Sequence, residues 1–201
     1  MNKTKPPSGW PENVEYLCSS LRVSPGVEAS VLKLLHTPNA ATSQLDKISV
    51  RQCPSPNPLV RITPIVSPHH PAQGQNGLFA TKHLAPSTFI LPYLGCLHSE
   101  EGSDPDSDYD ISLDRELGLA IDATLAGNEA RMINDFRGIS DRPNAEFKDI
   151  WVQLEVGKWE RWCGVFVLGA GKAGKRKGGI KAGEEILTSY GRGFWKARES
   201  S

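Results

Sequence analysis

Ile121-Asp122-Ala123-Thr124-Leu125-Ala126-Gly127-Asn128-Glu129-Ala130-Arg131-Met132-Ile133-Asn134 is the stretch on which the reading of this chain turns. Leu119 to Asp122 has the alternation of a short strand, and Leu125 to Ile133 reads as a helix that stops at Asn134. Arg131 and Asn134 bring polar chemistry to the end of that helix. An arginine offers a rigid fork of donors, and an asparagine offers a donor and an acceptor together. Taken alone, an asparagine in this place is a cap or a turn residue. Its surroundings decide otherwise.

Outward from this stretch, the texture is of short strands and turns. Tyr109–Leu113 precedes it, and Trp151–Leu154 and Val165–Leu168 follow. Further upstream lie Gly77–Ala80, Thr88–Leu94 and Leu59–Val66, the last an edge strand because it contains Pro64. Many short strands with few short helices predict a mostly-β fold. Eleven of the 15 prolines fall before residue 75, so residues 1–58 read as a proline-rich extension and 59–195 as the domain, with a tail at 196–201. Within the extension, Pro11–Ser20 and Gly26–His36 are expected as short helices, the second with Val27, Val31, Leu32, Leu34 and Leu35 on one face. Thr37–Pro58 reads as a loose linker.

Composition removes several function classes. Lys+Arg and Asp+Glu both number 23, for a formal net charge of zero, which argues against a grip on nucleic acid by bulk charge. No apolar run is long enough to span a bilayer, and Met1 to Pro7 leads into no signal core, so an intracellular protein without a membrane partner is expected. Cys18, Cys53, Cys96 and Cys163 are too scattered for a zinc knuckle; no metal is expected, and the thiols are expected to be reduced.

Three blocks stand in order. Gly74-Gln75-Asn76-Gly77-Leu78-Phe79-Ala80 is followed by Tyr93-Leu94-Gly95; the opening stretch comes next, with Pro143-Asn144 downstream; Ile180 to Gly191 closes the series through Gly183-Glu184-Glu185 and Tyr190. In that order and spacing the chain resembles the SET-domain protein-lysine methyltransferases over about residues 60–195. The resemblance implies small curved sheets with a knot-like C-terminal threading, S-adenosyl-L-methionine as cofactor, and a lysine side chain in a protein or peptide as acceptor. A histone tail is one such acceptor, and chromatin and the nucleus would then be the setting.

It also implies roles. Tyr190 and Tyr109 take the catalytic positions around the amine. Gly77, Leu78, Phe79, Arg131, Met132, Asn134, Asp135, Tyr190 and Trp195 take the cofactor-binding ones. Tyr93 is a second, weaker candidate for the wall of the lysine channel and is read first as core. The chain departs from the family pattern in five ways. Gln75 stands where a first glycine is usual, and Asp135 where relatives carry His. Residues Phe136-Arg137-Gly138-Ile139 lengthen the run to Asn144, and the zinc-binding cysteine cluster after Tyr190 is absent. Phe194 and Trp195 are expected to close the site by stacking instead. Thr188 stands where relatives carry Tyr or Phe, which implies more room around the amine and products beyond monomethyl-lysine. These departures support a second reading, a SET-fold binding module with weak or no turnover.

Gly169 to Arg176 imitates a phosphate loop but has Arg176 where Ser or Thr would hold magnesium. It reads as a basic loop, 172–181, open to an acidic surface or nucleic acid. Glu100, Glu101, Asp104, Asp106, Asp108 and Asp110 form the opposing acidic patch, which would draw a basic peptide.

Overall fold

The computed structural model describes residues 4–171, 178–191 and 194–195. Lys172, Lys175, Arg176 and Lys177 of the basic loop, and the tail 196–201, lie outside the described residues. The fold is mostly β. An α-helix, α1, spans Ala29–Leu35. The strands of the first half are β1 (Glu15–Tyr16), β2 (Arg22–Val23), β3 (Asp46–Ser49), β4 (Val60–Pro64), β5 (Asn76–Ala80), β6 (Phe89–Tyr93) and β7 (Cys96–Ser99). Those of the second half are β8 (Asp110–Asp114), β9 (Leu119–Asp122), β10 (Ala126–Gly127), β11 (Asn134–Asp135), β12 (Ala145–Glu155), β13 (Lys158–Val167) and β14 (Leu187–Thr188).

The centre is the β12–β13 hairpin, turned at Gly157, whose φ of 77° is a conformation that glycine adopts without penalty. Ile150, Trp151 and Val152 are consecutive and fully buried, because β12 is flanked by β3 and β13 and covered on both faces. Each such aliphatic side chain contributes roughly 1.5–3 kcal/mol by leaving water. This sheet has the order β3-β12-β13-β6, and β6 is its edge, where Pro92 costs no ladder hydrogen bond. A second sheet has the order β2-β7-β9-β8, and β4 pairs antiparallel with β5. Pro64 ends β4, at a sheet edge as its sequence indicates.

Several expectations need correction. Pro11–Ser20 contains β1, which runs parallel to β10, and no α-helix. The same pairing prevents a helix over 125–133. Glu15 and Leu17 donate their amides to the carbonyls of Leu125 and Gly127, at 2.9 and 2.7 Å. Asn128 is extended and ties down β6: its Oδ1 accepts from the Leu94 amide and its Nδ2 donates to the Pro92 carbonyl. Only a 3₁₀ turn, Glu129–Met132, remains. The stretch expected to be loose supplies β3, and its neighbour Asn57 donates its backbone amide to the buried Glu129 carboxylate at 2.8 Å. In α1 the apolar face is narrower than expected: Leu35 is buried, whereas Leu34 is 48% exposed.

Candidate active site

Two cavities meet where the three sequence blocks converge. The narrower, about 280 Å³, has walls from Tyr93, Tyr109, Ile133, Phe147, Tyr190 and Phe194, with Asp108, Asp110 and Asp149 among its polar groups. The wider, about 760 Å³, is bounded by Gln75, Asn76, Met132, Asn134, Asp135 and Trp195. Tyr109, Arg131, Tyr190 and Phe194 belong to both walls. A group bound in one cavity can therefore reach a group bound in the other.

The elements that form this junction are short and held by main-chain bonds. β11 and β14 pair in parallel, Asn134 opposite Leu187 and Asp135 opposite Thr188. Asn144, buried, accepts from the Leu187 amide and donates to the Glu185 carbonyl at 2.7 and 2.6 Å. Tyr190 follows β14. Its hydroxyl donates to the Ile133 carbonyl at 2.7 Å, and its ring meets Phe194 edge-on at 4.8 Å. Burial pushes the Tyr190 phenol well above its ordinary value, and the Asp135 carboxylate adds to the shift, so the group stays neutral. Tyr109 is fixed from both sides. Its carbonyl accepts from the Tyr93 hydroxyl at 2.6 Å, and the Arg131 guanidinium lies 4.1 Å over its ring. Arg131 in turn donates to the Ala123 carbonyl at 2.8 Å.

Asp135 has the largest set of donors at the site. Its carboxylate takes the backbone and side chain of Arg137, the Tyr190 amide at 2.8 Å and the Trp195 indole at 3.3 Å. Asp135 and the segment after it act together: Arg137 gives the carboxylate its cation, and the carboxylate carries the segment after β14. The Phe194 and Trp195 rings meet edge to face at 5.4 Å, and both line the wider cavity. Among the described residues, no three His, Cys, Asp or Glu side chains group as metal ligands.

In the first block, Leu78 is fully buried, and Gly77 and Phe79 pair in β5 with Thr63 and Arg61. A Cβ on Gly77 would come 2.6 Å from Glu185 Oε1, so the glycine makes room for a carboxylate of this chain. The adjoining Gln75 and Asn76 line the wider cavity. Thr188 is 2% exposed, opposite Asp135, and is not among the described residues lining either cavity. Tyr93, read from sequence as core, is buried and also lines the narrower cavity. The wider cavity suits S-adenosylmethionine in size and chemistry, with indole and phenyl rings for a purine and Asn134 for the amino-acid end.

A family model described as the SET domain matches residues 75–191, more than half of the chain. The comparison with curated proteins gives no match. Similar solved structures include a humanized mutant of the Chaetomium thermophilum Polycomb Repressive Complex 2 bound to an inhibitor, at 26% identity and TM-score 0.46. The Chaetomium thermophilum complex itself matches at 25% identity and 0.47, and ctPRC2 in an autoinhibited conformation bound to S-adenosylmethionine at 24% and 0.48. The matches cover 65%, 66% and 70% of this chain but only 15%, 15% and 16% of those chains.

Proposed function

This chain belongs to the SET domain family, and from that premise we propose that it methylates the side-chain amine of a lysine in another protein, with S-adenosylmethionine as methyl donor. The observation that carries this reading is the junction of the two cavities at Tyr109, Arg131 and Tyr190. Gln75, Asn76, Arg131, Met132, Asn134 and Trp195 are the residues that would hold the cofactor, with Asp135 fixing the segment around them. When bound, the cofactor supplies an electrophilic methyl carbon.

The chain's own residues do the rest. Lysine at its reference pKa of about 10.4 arrives as an ammonium ion, and Asp108 and Asp110 draw that charge to the narrower cavity, whereas Asp149 is paired with Arg161. The ammonium gives its proton to solvent water at the cavity mouth, and the rings of Tyr93, Phe147 and Phe194 then exclude that water, which favours the neutral amine. Tyr190, neutral itself, offers its hydroxyl oxygen as an acceptor to the amine while donating to Ile133. Holding the amine in line with the neighbouring cavity converts an encounter into a positioned reaction.

The test is incubation with isotopically labelled S-adenosylmethionine and lysine-containing protein fractions, histones first, followed by mass spectrometry of the modified residue. Label on a lysine is the expected result, and a histone acceptor would place the protein on chromatin in the nucleus. Tight cofactor binding with no label on any protein would favour the non-catalytic binding module, for which Asp135 in place of histidine is the motivating observation. No binding at all would overturn the cofactor assignment.

A further inference from the structure

We propose that His70 is a positioning residue: through Glu185 it sets which face of the Asn134 amide looks into the wider cavity, and so makes the site select a ligand bearing an ammonium donor there. The inference rests on the cofactor reading above. It concerns a residue outside the stretch matched by the family model, which begins at residue 75.

The chain of bonds has only one consistent direction. The Ala72 backbone amide, which can only donate, points at His70 Nδ1 at 3.0 Å, so Nδ1 carries no hydrogen. The ring proton then sits on Nε2, which lies 3.0 Å from Glu185 Oε2 and donates to it. The other carboxylate oxygen, Oε1, accepts from Asn134 Nδ2 at 2.8 Å. The second Asn134 N–H goes to the Asn76 carbonyl at 3.3 Å. Both amide hydrogens are spent inside the protein, so what Asn134 offers a ligand is its oxygen. A flipped amide would set that oxygen against the Glu185 carboxylate, acceptor against acceptor.

The bridge is sheltered. The His70 and Glu185 side chains are 10% and 9% exposed, which separates this pair from surface ion pairs of little consequence. It also explains Gly77, whose missing Cβ leaves the space that Glu185 Oε1 occupies. A partner beyond the contacting side chain that fixes its orientation is a recurrent way of tuning a binding site.

Two measurements test this. Long-range proton–nitrogen NMR of the ligand-free protein should find His70 in the Nε2–H tautomer; an Nδ1–H tautomer overturns the bridge whatever the ligand. Calorimetry with S-adenosylhomocysteine and its desamino analogue should show that the wild type prefers the amine. In His70→Leu that preference should fall by about tenfold, whereas His70→Gln, whose terminal amide can replace the Nε2 donor, should keep most of it. Gly77→Ala, which displaces Glu185, should reproduce the loss and serves if His70→Leu does not fold. An unchanged preference in folded His70→Leu or Gly77→Ala overturns the inference. If the wild type binds neither compound, the cofactor reading falls and the ligand-selecting role of His70 with it, while a contrary tautomer removes the inference alone.

Discussion

Tyr190 shows how much a single residue's surroundings decide. Its hydroxyl is committed to the Ile133 carbonyl, and burial together with Asp135 holds it neutral far above working pH. A group in that state cannot take the lysine proton; it can only orient. Tyr190→Phe should therefore lower methyl transfer by at least about tenfold, about 1.4 kcal/mol of barrier, with cofactor affinity nearly unchanged. Because Tyr190 does not ionise in the range where lysine loses its proton, the mutant's pH–rate profile should keep the wild-type shape. Single-turnover rates across pH decide it: a limb that disappears with the hydroxyl would make Tyr190 the titrating base. At the same scale, Thr188 is buried and lines neither cavity, so on the proposed reading Tyr93, Tyr109 and Phe147 would bound the space for the amine.

Among elements, the segment after β14 depends on β11. Asp135→Ala removes the acceptor of the Tyr190 amide and the Trp195 indole and leaves Arg137 without its partner, a loss of about 1–3 kcal/mol for each buried donor left unpaired. We expect faster hydrogen exchange at the Tyr190 amide and weaker cofactor binding; wild-type protection at that amide would show that the aromatic stack alone holds the segment. Since these contacts need no metal, chelators should leave the melting temperature unchanged, and a drop would reveal a structural ion. Legibility in the sequence follows the same line. Strands carrying runs of Ile, Val, Leu and Phe, such as β4 and β6, are plain from pattern, whereas β13 shows such a run only at its end, from Val165. β7, Cys96-Leu97-His98-Ser99, has no such run and is a strand because β2 and β9 flank it. The helix expected over 125–133 gives way because β1, far away in sequence, captures its carbonyls. Motif spacing located Tyr190, Arg131 and Asn134 at the cavities, but it could not foresee His70, whose partner Glu185 is distant in the chain.

For the molecule as a whole, the boundary read at residue 58 marks a change of texture more than a separable unit. Residues before it supply β1, β2 and β3, each paired with a strand of the later region, namely β10, β7 and β12. Leu21, Val27, Leu35 and Ile48 lie in the same buried cluster as Leu78, Ile121 and Ile186. Removing residues 1–58 would expose the edge of β12 along Ile150 to Gln153 and take away four core side chains, each worth roughly 1.5–3 kcal/mol. Glu129 would lose the Asn57 amide, leaving a buried carboxylate short of a donor next to the turn that presents Arg131. The sum exceeds much of the 5–15 kcal/mol by which a domain of this kind is stable. We therefore predict that a fragment of residues 59–201 does not unfold cooperatively in urea and does not bind S-adenosylmethionine, whereas the full chain does both. A sharp transition in the fragment, with retained affinity, would make the proline-rich segment an appendage and the later region a domain that folds alone.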